Sequence, residues 1–181
     1  MKNRILTLTA LLILTTVMGS CKKGENDPFM SIKTRDARIT GLWELVDLNL
    51  SSIVKNTFSG TTVTTVSSAT YDGSLYTYIS DGDATSFSYK RDLTINKDGS
   101  YTSYIVQDGN SQEMSGYWWW LDDTKKKTRI ALDDDIDSFE IDRLTNKELV
   151  LTYYYFASDI DSDGELFEQL IEQTLTFEKA K

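Results

Sequence analysis

The chain has 181 residues, a formal net charge of −9, no histidine and one cysteine, Cys21. Ser-His-Asp and Cys-His catalysis, zinc sites of the Cys/His type, haem ligation through histidine and any intrachain disulfide are thereby excluded. With 28 Asp and Glu against 19 Lys and Arg, the chain lacks the excess of cations needed to neutralise a phosphate backbone, so nucleic acid is not an expected partner.

Lys2 and Arg4 precede a mainly apolar run of 13 residues, Ile5 to Val17, relieved only by threonines. A spanning helix needs about 20 apolar residues to cross a ~30 Å hydrocarbon core, so this run has the length and flanks of an export signal. Met18-Gly19-Ser20-Cys21 then resembles the lipobox of bacterial lipoproteins. The resemblance implies cleavage before Cys21, diacylation of its thiol and usually a third chain on the new amino group, so that Cys21 is the lipidation site and the bilayer a partner. One acyl chain holds a protein only marginally, whereas two or three, at about 0.8 kcal/mol per buried methylene, hold it firmly. The alternative is an ordinary secretory signal with a chance cysteine.

On the lipoprotein reading, residues 1–20 are the signal peptide, 21–30 the lipidated cysteine and tether, and 31–181 a single folded domain. Loss of Lys2 and Arg4 with the signal takes the charge from −9 to −11. Lys22-Lys23 suit anionic head groups. They stand where surface-displayed lipoproteins often carry an acidic cluster, so the expected location is the periplasmic face of the outer membrane.

Next, "DPFMSIKTRDARIT" offers Asp27 as an N-cap, Pro28 at the first helical position, and Phe29, Ile32 and Ile39 near helical spacing. It reads as a short helix or an irregular arm. Beyond it the pattern is all-β. Five Asp-Gly pairs, at 72–73, 81–82, 98–99, 108–109 and 163–164, separate runs rich in β-branched and aromatic residues. Such pairs favour the type I′ turns of hairpins, which need positive φ at both central positions. An antiparallel up-and-down meander of about eight to ten strands is the simplest topology. The Ser/Thr-rich "NTFSGTTVTTVSSATY" is expected to be an edge hairpin or a mobile rim. In "ELVLTYYYF" both faces are apolar, so that strand is expected to be covered on both sides or to line a cavity.

Gly41-Leu42-Trp43, placed after the short helix and at the start of the first strand, resembles the G-x-W opening of lipocalins and lipocalin-like proteins. "LTINKDGSYTSY", "SGYWWW" and "FEIDRLTNKELVLTY" add to a likeness running from about Arg38 to Phe177 with the small lipocalin-like domains of bacterial lipoproteins. The likeness implies a lipocalin-like barrel whose base is closed by Trp43, often beneath a basic side chain from near the barrel's end. Arg143 and Lys179 are the conceivable partners. Such a barrel either fills with side chains or holds one small apolar or amphipathic ligand. Trp118 or Trp120, with Tyr153 and Tyr155, are the candidate ligand-binding residues.

In "GYWWW", Trp118 and Trp120 share one strand face and Tyr117 and Trp119 the other. One set is core; the other is a girdle under a loop or a platform for a sugar ring or a partner protein. "DIDSDGELFEQL" places Asp159, Asp161 and Asp163 before Gly164 as in an EF-hand calcium loop, but the twelfth position is Leu170 instead of Glu. It reads as a solvated hairpin tip or a weak calcium site. Leu166, Phe167, Leu170 and Ile171 repeat at helical spacing and leave a short helix open after the loop. "LDDDID" is a second acidic turn. Paired carboxylates could serve glycoside hydrolysis, but aspartates are too abundant here to single out a pair. The expectation is a non-catalytic protein without a cofactor, which binds a small ligand or docks on another envelope protein or a glycan.

Overall fold

The computed structural model describes residues 34–122, 127–133, 138–160 and 165–181. The expected signal, Cys21, the tether, the helix start at Asp27 and Pro28, and Asp161 and Asp163 lie outside these residues. The first element, α1 (Arg35–Ile39), is little more than one turn. Thr34 caps it, its hydroxyl accepting from the Ala37 N–H at 3.2 Å.

Ten antiparallel strands follow: β1 (Gly41–Phe58), β2 (Thr61–Tyr71), β3 (Leu75–Ser80), β4 (Asp83–Ile95) and β5 (Ser100–Gln107), then β6 (Asn110–Trp120), β7 (Arg129–Leu132), β8 (Ser138–Leu144), β9 (Glu148–Ile160) and β10 (Leu166–Lys179). The turn chemistry explains the meander. Asp81-Gly82 and Asp108-Gly109 have positive φ at both residues, 50° and 91°, then 46° and 80°, as a type I′ turn requires. Ser59-Gly60 makes the same turn at the tip of β1 and β2, with 48° and 78°. Asp72-Gly73 and Asp98-Gly99 also fall between consecutive strands; the fifth pair lies outside the described residues.

The strands close into a barrel, β1 pairing with β10 from Trp43↔Lys179 to Thr57↔Leu166. The neighbour of β1 changes with height. Near α1, Gly41 to Glu44 of β1 pair directly with Asp92 to Ile95 of β4, which closes a ring of eight strands. From Leu48 upward β1 pairs instead with β2, and β3 pairs with β4 from Leu75↔Ser88 to Ser80↔Asp83. The β2–β3 hairpin is therefore a wedge between β1 and β4, and with it the circuit has ten strands, of which the short β7 and β8 reach only Trp118 of β6 and Thr152 of β9. The Ser/Thr-rich segment is an edge hairpin as expected: β3 flanks β2 only from Ser67 to Tyr71, which leaves Thr61 to Val66 paired with β1 alone. Closure pairs the strands on both sides at the floor, but among the described residues β6 from Asn110 to Tyr117 and β9 from Tyr153 to Ile160 have a strand on one side only.

Eight strands enclose a space that side chains can just fill, and the base is filled that way. Ile39 and Trp43 plug it, beneath Leu93, Ile95, Ile130, Leu144, Leu149, Leu151, Leu175 and Phe177, all at 2% exposure or less. Burying each such side chain contributes about 1.5–3 kcal/mol. Higher up, the inner face opens: Phe58 and Val63 at the β1–β2 tip are exposed.

Two expectations are corrected. Leu166, Phe167, Leu170 and Ile171 lie in β10 and not in a helix. An i, i+4 repeat fits period 2 as well as period 3.6, and pairing across the full length of β9 and β1 selects the strand. The outer face of β9 is also bare: Tyr154 and Phe156 are 62% and 57% exposed, so "ELVLTYYYF" is not covered on both sides.

Candidate functional site

The closed end is built around Trp43. Its indole N–H donates to the Ile39 carbonyl at 2.6 Å, tying β1 to α1. The Lys179 ammonium lies 4.6 Å from the Trp43 ring centre and donates to the carbonyls of Arg38 (3.1 Å) and Thr40 (2.7 Å). Arg143 is elsewhere, paired with Glu148 at 3.1 Å on the outer face. Gly41 has φ +134°, and a Cβ there would stand 2.6 Å from Lys179 Cε. The G-x-W glycine is thus the position over which the lysine stem passes. Arg38 adds a bond from its guanidinium to the Leu144 carbonyl, 2.6 Å, across the barrel floor.

Trp118 and Trp120 face inward, paired with Leu132 and Ile130, and meet edge to face at 5.7 Å. They form one wall of a groove of about 560 Å3 at the closed end, between α1, Lys97 to Gly99 and the end of β6. Their N–H groups are committed, Trp118 to the Asn96 carbonyl at 2.8 Å and Trp120 to the Asp36 carboxylate at 2.7 Å. Lys127 also binds Asp36 at 2.5 Å. Burial raises the Asp36 pKa, but the bonds from Lys127 and Trp120 and the lysine charge outweigh it, leaving the carboxyl below its ordinary value. Tyr117 and Trp119 point outward, 69% and 37% exposed.

Tyr153 and Tyr155 are on β9, separated from β6 by the short strands β7 and β8. Both lie on the inner face of β9, with parallel rings 6.5 Å apart, and Tyr153 meets Phe139 at 5.7 Å. Their partners across β10 are Gln173 and Ile171. The tryptophan pair lines the groove beside α1, and Tyr153 is linked to it through the cross-strand row of Trp120, Ile130 and Phe139.

The opposite wall holds residues that the motif reading passed over. Tyr71, Tyr76, Phe87 and Tyr89, from β2, β3 and β4, form a chain of ring contacts at 4.9–6.4 Å. Burial pushes the phenols of Tyr71, Tyr76 and Tyr89 above their ordinary pKa. Below them Arg91, on the same β4 face as the buried Leu93 and Ile95, donates from Nε to the buried Ser103 hydroxyl at 3.1 Å. Alternation along "FSYKRDLTI" is the signal that places Arg91 inside. Ile105 and Gln107, the β5 partners of Arg91 and Tyr89, line a recess of about 390 Å3 at the β5–β6 tip. Near the short β7, the Asp133 carboxylate folds over Gly116, within 3.5 Å of the Tyr101 hydroxyl.

Asp159 is the penultimate residue of β9, its carboxylate accepting from the Ile160 N–H at 2.9 Å. Among the described residues no group of three acidic, histidine or cysteine side chains could hold a metal ion; the rest of the proposed calcium loop lies outside them.

On the outer face of the tall wall, Phe156, Leu170, Ile53 and Val66 are register partners across β9, β10, β1 and β2. They make one apolar row, flanked by the Lys55–Glu168 ion pair at 3.6 Å.

No protein-family model, curated protein or solved structure matches this chain. What the fold defines is a closed antiparallel ten-stranded β-barrel with a packed floor and an aromatic upper interior.

Proposed function

We propose that the protein is a non-catalytic lipoprotein, held by acylated Cys21 at the periplasmic face of the outer membrane. Its lipocalin-like barrel binds a small apolar or amphipathic molecule in the upper interior. The observation that carries this reading is the insertion of the β2–β3 hairpin above the floor. An eight-stranded floor is filled by its own side chains, while above it the inserted β2–β3 hairpin widens the wall and β7 and β8 stop short, so the same packing does not close the upper interior. That wider part is lined by Tyr76, Phe87, Tyr89, Tyr153, Tyr155 and Ile171, half-buried groups with few hydrogen-bonding demands. The lipobox resemblance at Met18 to Cys21 and the short apolar run before it support the anchor. The G-x-W position of Trp43, with Lys179 over its ring, supports the lipocalin-like assignment.

A second reading, docking on another envelope protein or a glycan, is favoured by the outer row Phe156, Leu170, Ile53 and Val66, whose two ends are exposed and whose middle is half-buried. Adjacent residues of β10 separate the two. Ile171 faces inward, paired with Tyr155, and Leu170 faces outward, paired with Phe156. The neutral fluorophore N-phenyl-1-naphthylamine should bind saturably, Ile171→Arg should abolish its binding, and Leu170→Arg should leave it intact. Absence of saturable binding, or loss with Leu170→Arg alone, would turn the assignment to the docking surface.

A further inference from the structure

We infer that the barrel interior selects an amphipath with an oxyanion head group, a carboxylate or a phosphate, and that Arg91 is the residue that reads it. The inference rests on the interior-binding reading and adds the ligand class.

Inside an acidic protein, a cation on the inner face of a barrel wall needs a reason. Arg91 shares that face with Leu93 and Ile95, at 0% and 1% exposure. Its Nε donates to Ser103, itself 1% exposed, which fixes the guanidinium plane against the wall. Among the described residues the two terminal nitrogens have no hydrogen-bond acceptor and no carboxylate within ion-pair distance. The neighbouring Asp92 faces outward, where it pairs with Lys90 at 2.8 Å. Asp133, which also reaches the interior, is near Tyr101. Arg91 thus presents a fork held at one end and open at the other, the geometry that receives a two-oxygen anion.

The surroundings fit the remainder of an amphipath. Tyr89 and Tyr76 stand above Arg91 on the way to the open end, and Tyr89 touches both Tyr71 and Phe87. Ile105 is the cross-strand partner of Arg91 and lines the recess at the β5–β6 tip. A head group at Arg91 would place its chain along this aromatic wall, head down and tail toward the mouth.

The test uses the full chain carrying Cys21→Ser, in detergent-free buffer, with N-phenyl-1-naphthylamine displaced by four probes of equal chain length below their micelle concentrations. These are dodecanoate, dodecyl phosphate, dodecanol and dodecyltrimethylammonium. Dodecanoate, dodecyl phosphate or both should displace the fluorophore at least tenfold more effectively than dodecanol, with the cation weakest. The ratio between the two anions tells a fatty-acid source from a phosphate-headed one. Arg91→Met should bring dodecanoate, dodecyl phosphate and dodecanol to within about threefold of one another.

A second measurement needs no variant. The carboxyl carbon of labelled dodecanoate, followed by NMR, should stay ionised to lower pH when bound than when free. Equal displacement by dodecanol in the native sequence, retained preference in a folded Arg91→Met, or a bound carboxyl titrating at or above its free value would each overturn the inference. If the fluorophore binds without anion preference, only the role of Arg91 fails. If neither the fluorophore nor any probe binds, the interior-binding reading fails with it.

Discussion

Lys179, the last residue of β10, holds its ammonium 4.6 Å from the centre of the Trp43 ring and bonds two carbonyls at the end of α1 and just beyond it. One side chain thereby joins the last strand, the first strand and the helix that plugs the floor. A cation over an indole contributes about 0.5–2 kcal/mol, and a hydrogen bond from a charged donor about 1.5–3 kcal/mol. Lys179 is partly exposed, so solvent screening takes back some of this. Lys179→Met should lower unfolding free energy by about 2–3 kcal/mol, read as a shift in the urea midpoint at unchanged slope. No shift would mean that the floor holds without its lysine.

Gly41 and Gly82 both have positive φ, +134° and +91°, but only Gly41 has a neighbour in the way. Gly82→Ala should cost about 1 kcal/mol from backbone conformation alone. Gly41→Ala also pushes Lys179 off its carbonyls and should cost about 2–4 kcal/mol. Equal costs in parallel urea titrations would remove the steric part of the argument.

Tyr71, Tyr76 and Tyr89 give a pH dependence whose sign follows from burial. Each phenol is raised above the unfolded value near 10. In the unfolded chain these groups ionise first, so their contribution to stability is complete below about pH 10 and is lost as pH rises through the folded values. Among the chain's ten tyrosines, tyrosinate absorbance should show a late-titrating fraction that Tyr89→Phe diminishes and urea abolishes. A single uniform titration of the native protein would contradict the buried aromatic wall.

Much of the fold is legible from the sequence because its turns are. Asp81-Gly82 and Asp108-Gly109 take the positive φ values that make Asp-Gly a hairpin signal, and each joins consecutive strands. The wedge was not legible. Nothing in "GLWELVDLNLSSIVKNTF" says that its first residues pair with β4 and its later ones with β2, because both halves read as strand. Nor does spacing separate helix from strand at Leu166 to Ile171, where pairing on both sides decides. For the site, alternation put Trp118 and Trp120 on one face and Tyr153 and Tyr155 on another, but not at which level of the barrel each pair lies. Arg91 is within reach of the same alternation, two positions from Leu93, but an arginine in a strand ordinarily marks the solvent face.

The anchor makes its own prediction. Expressed with its signal in a Gram-negative host, the chain should partition with membranes, and Cys21→Ser should move it to the soluble periplasmic fraction, since the barrel offers no acyl chain of its own. Unchanged partitioning of the variant would sink the lipoprotein proposal and leave the barrel's binding role to stand separately.

The central claim is that the upper interior is a ligand site. Native mass spectrometry tests it most directly, on the Cys21→Ser chain exported in a Gram-negative host and purified without detergent. The account predicts a second species carrying one defined extra mass of a few hundred daltons, on the order of one chain-bearing amphipath filling a small pocket, lost on solvent extraction and regained on incubation with lipid extract. A bare chain mass before and after that incubation would contradict it, and the barrel would then be a filled scaffold whose function lies on its outer face.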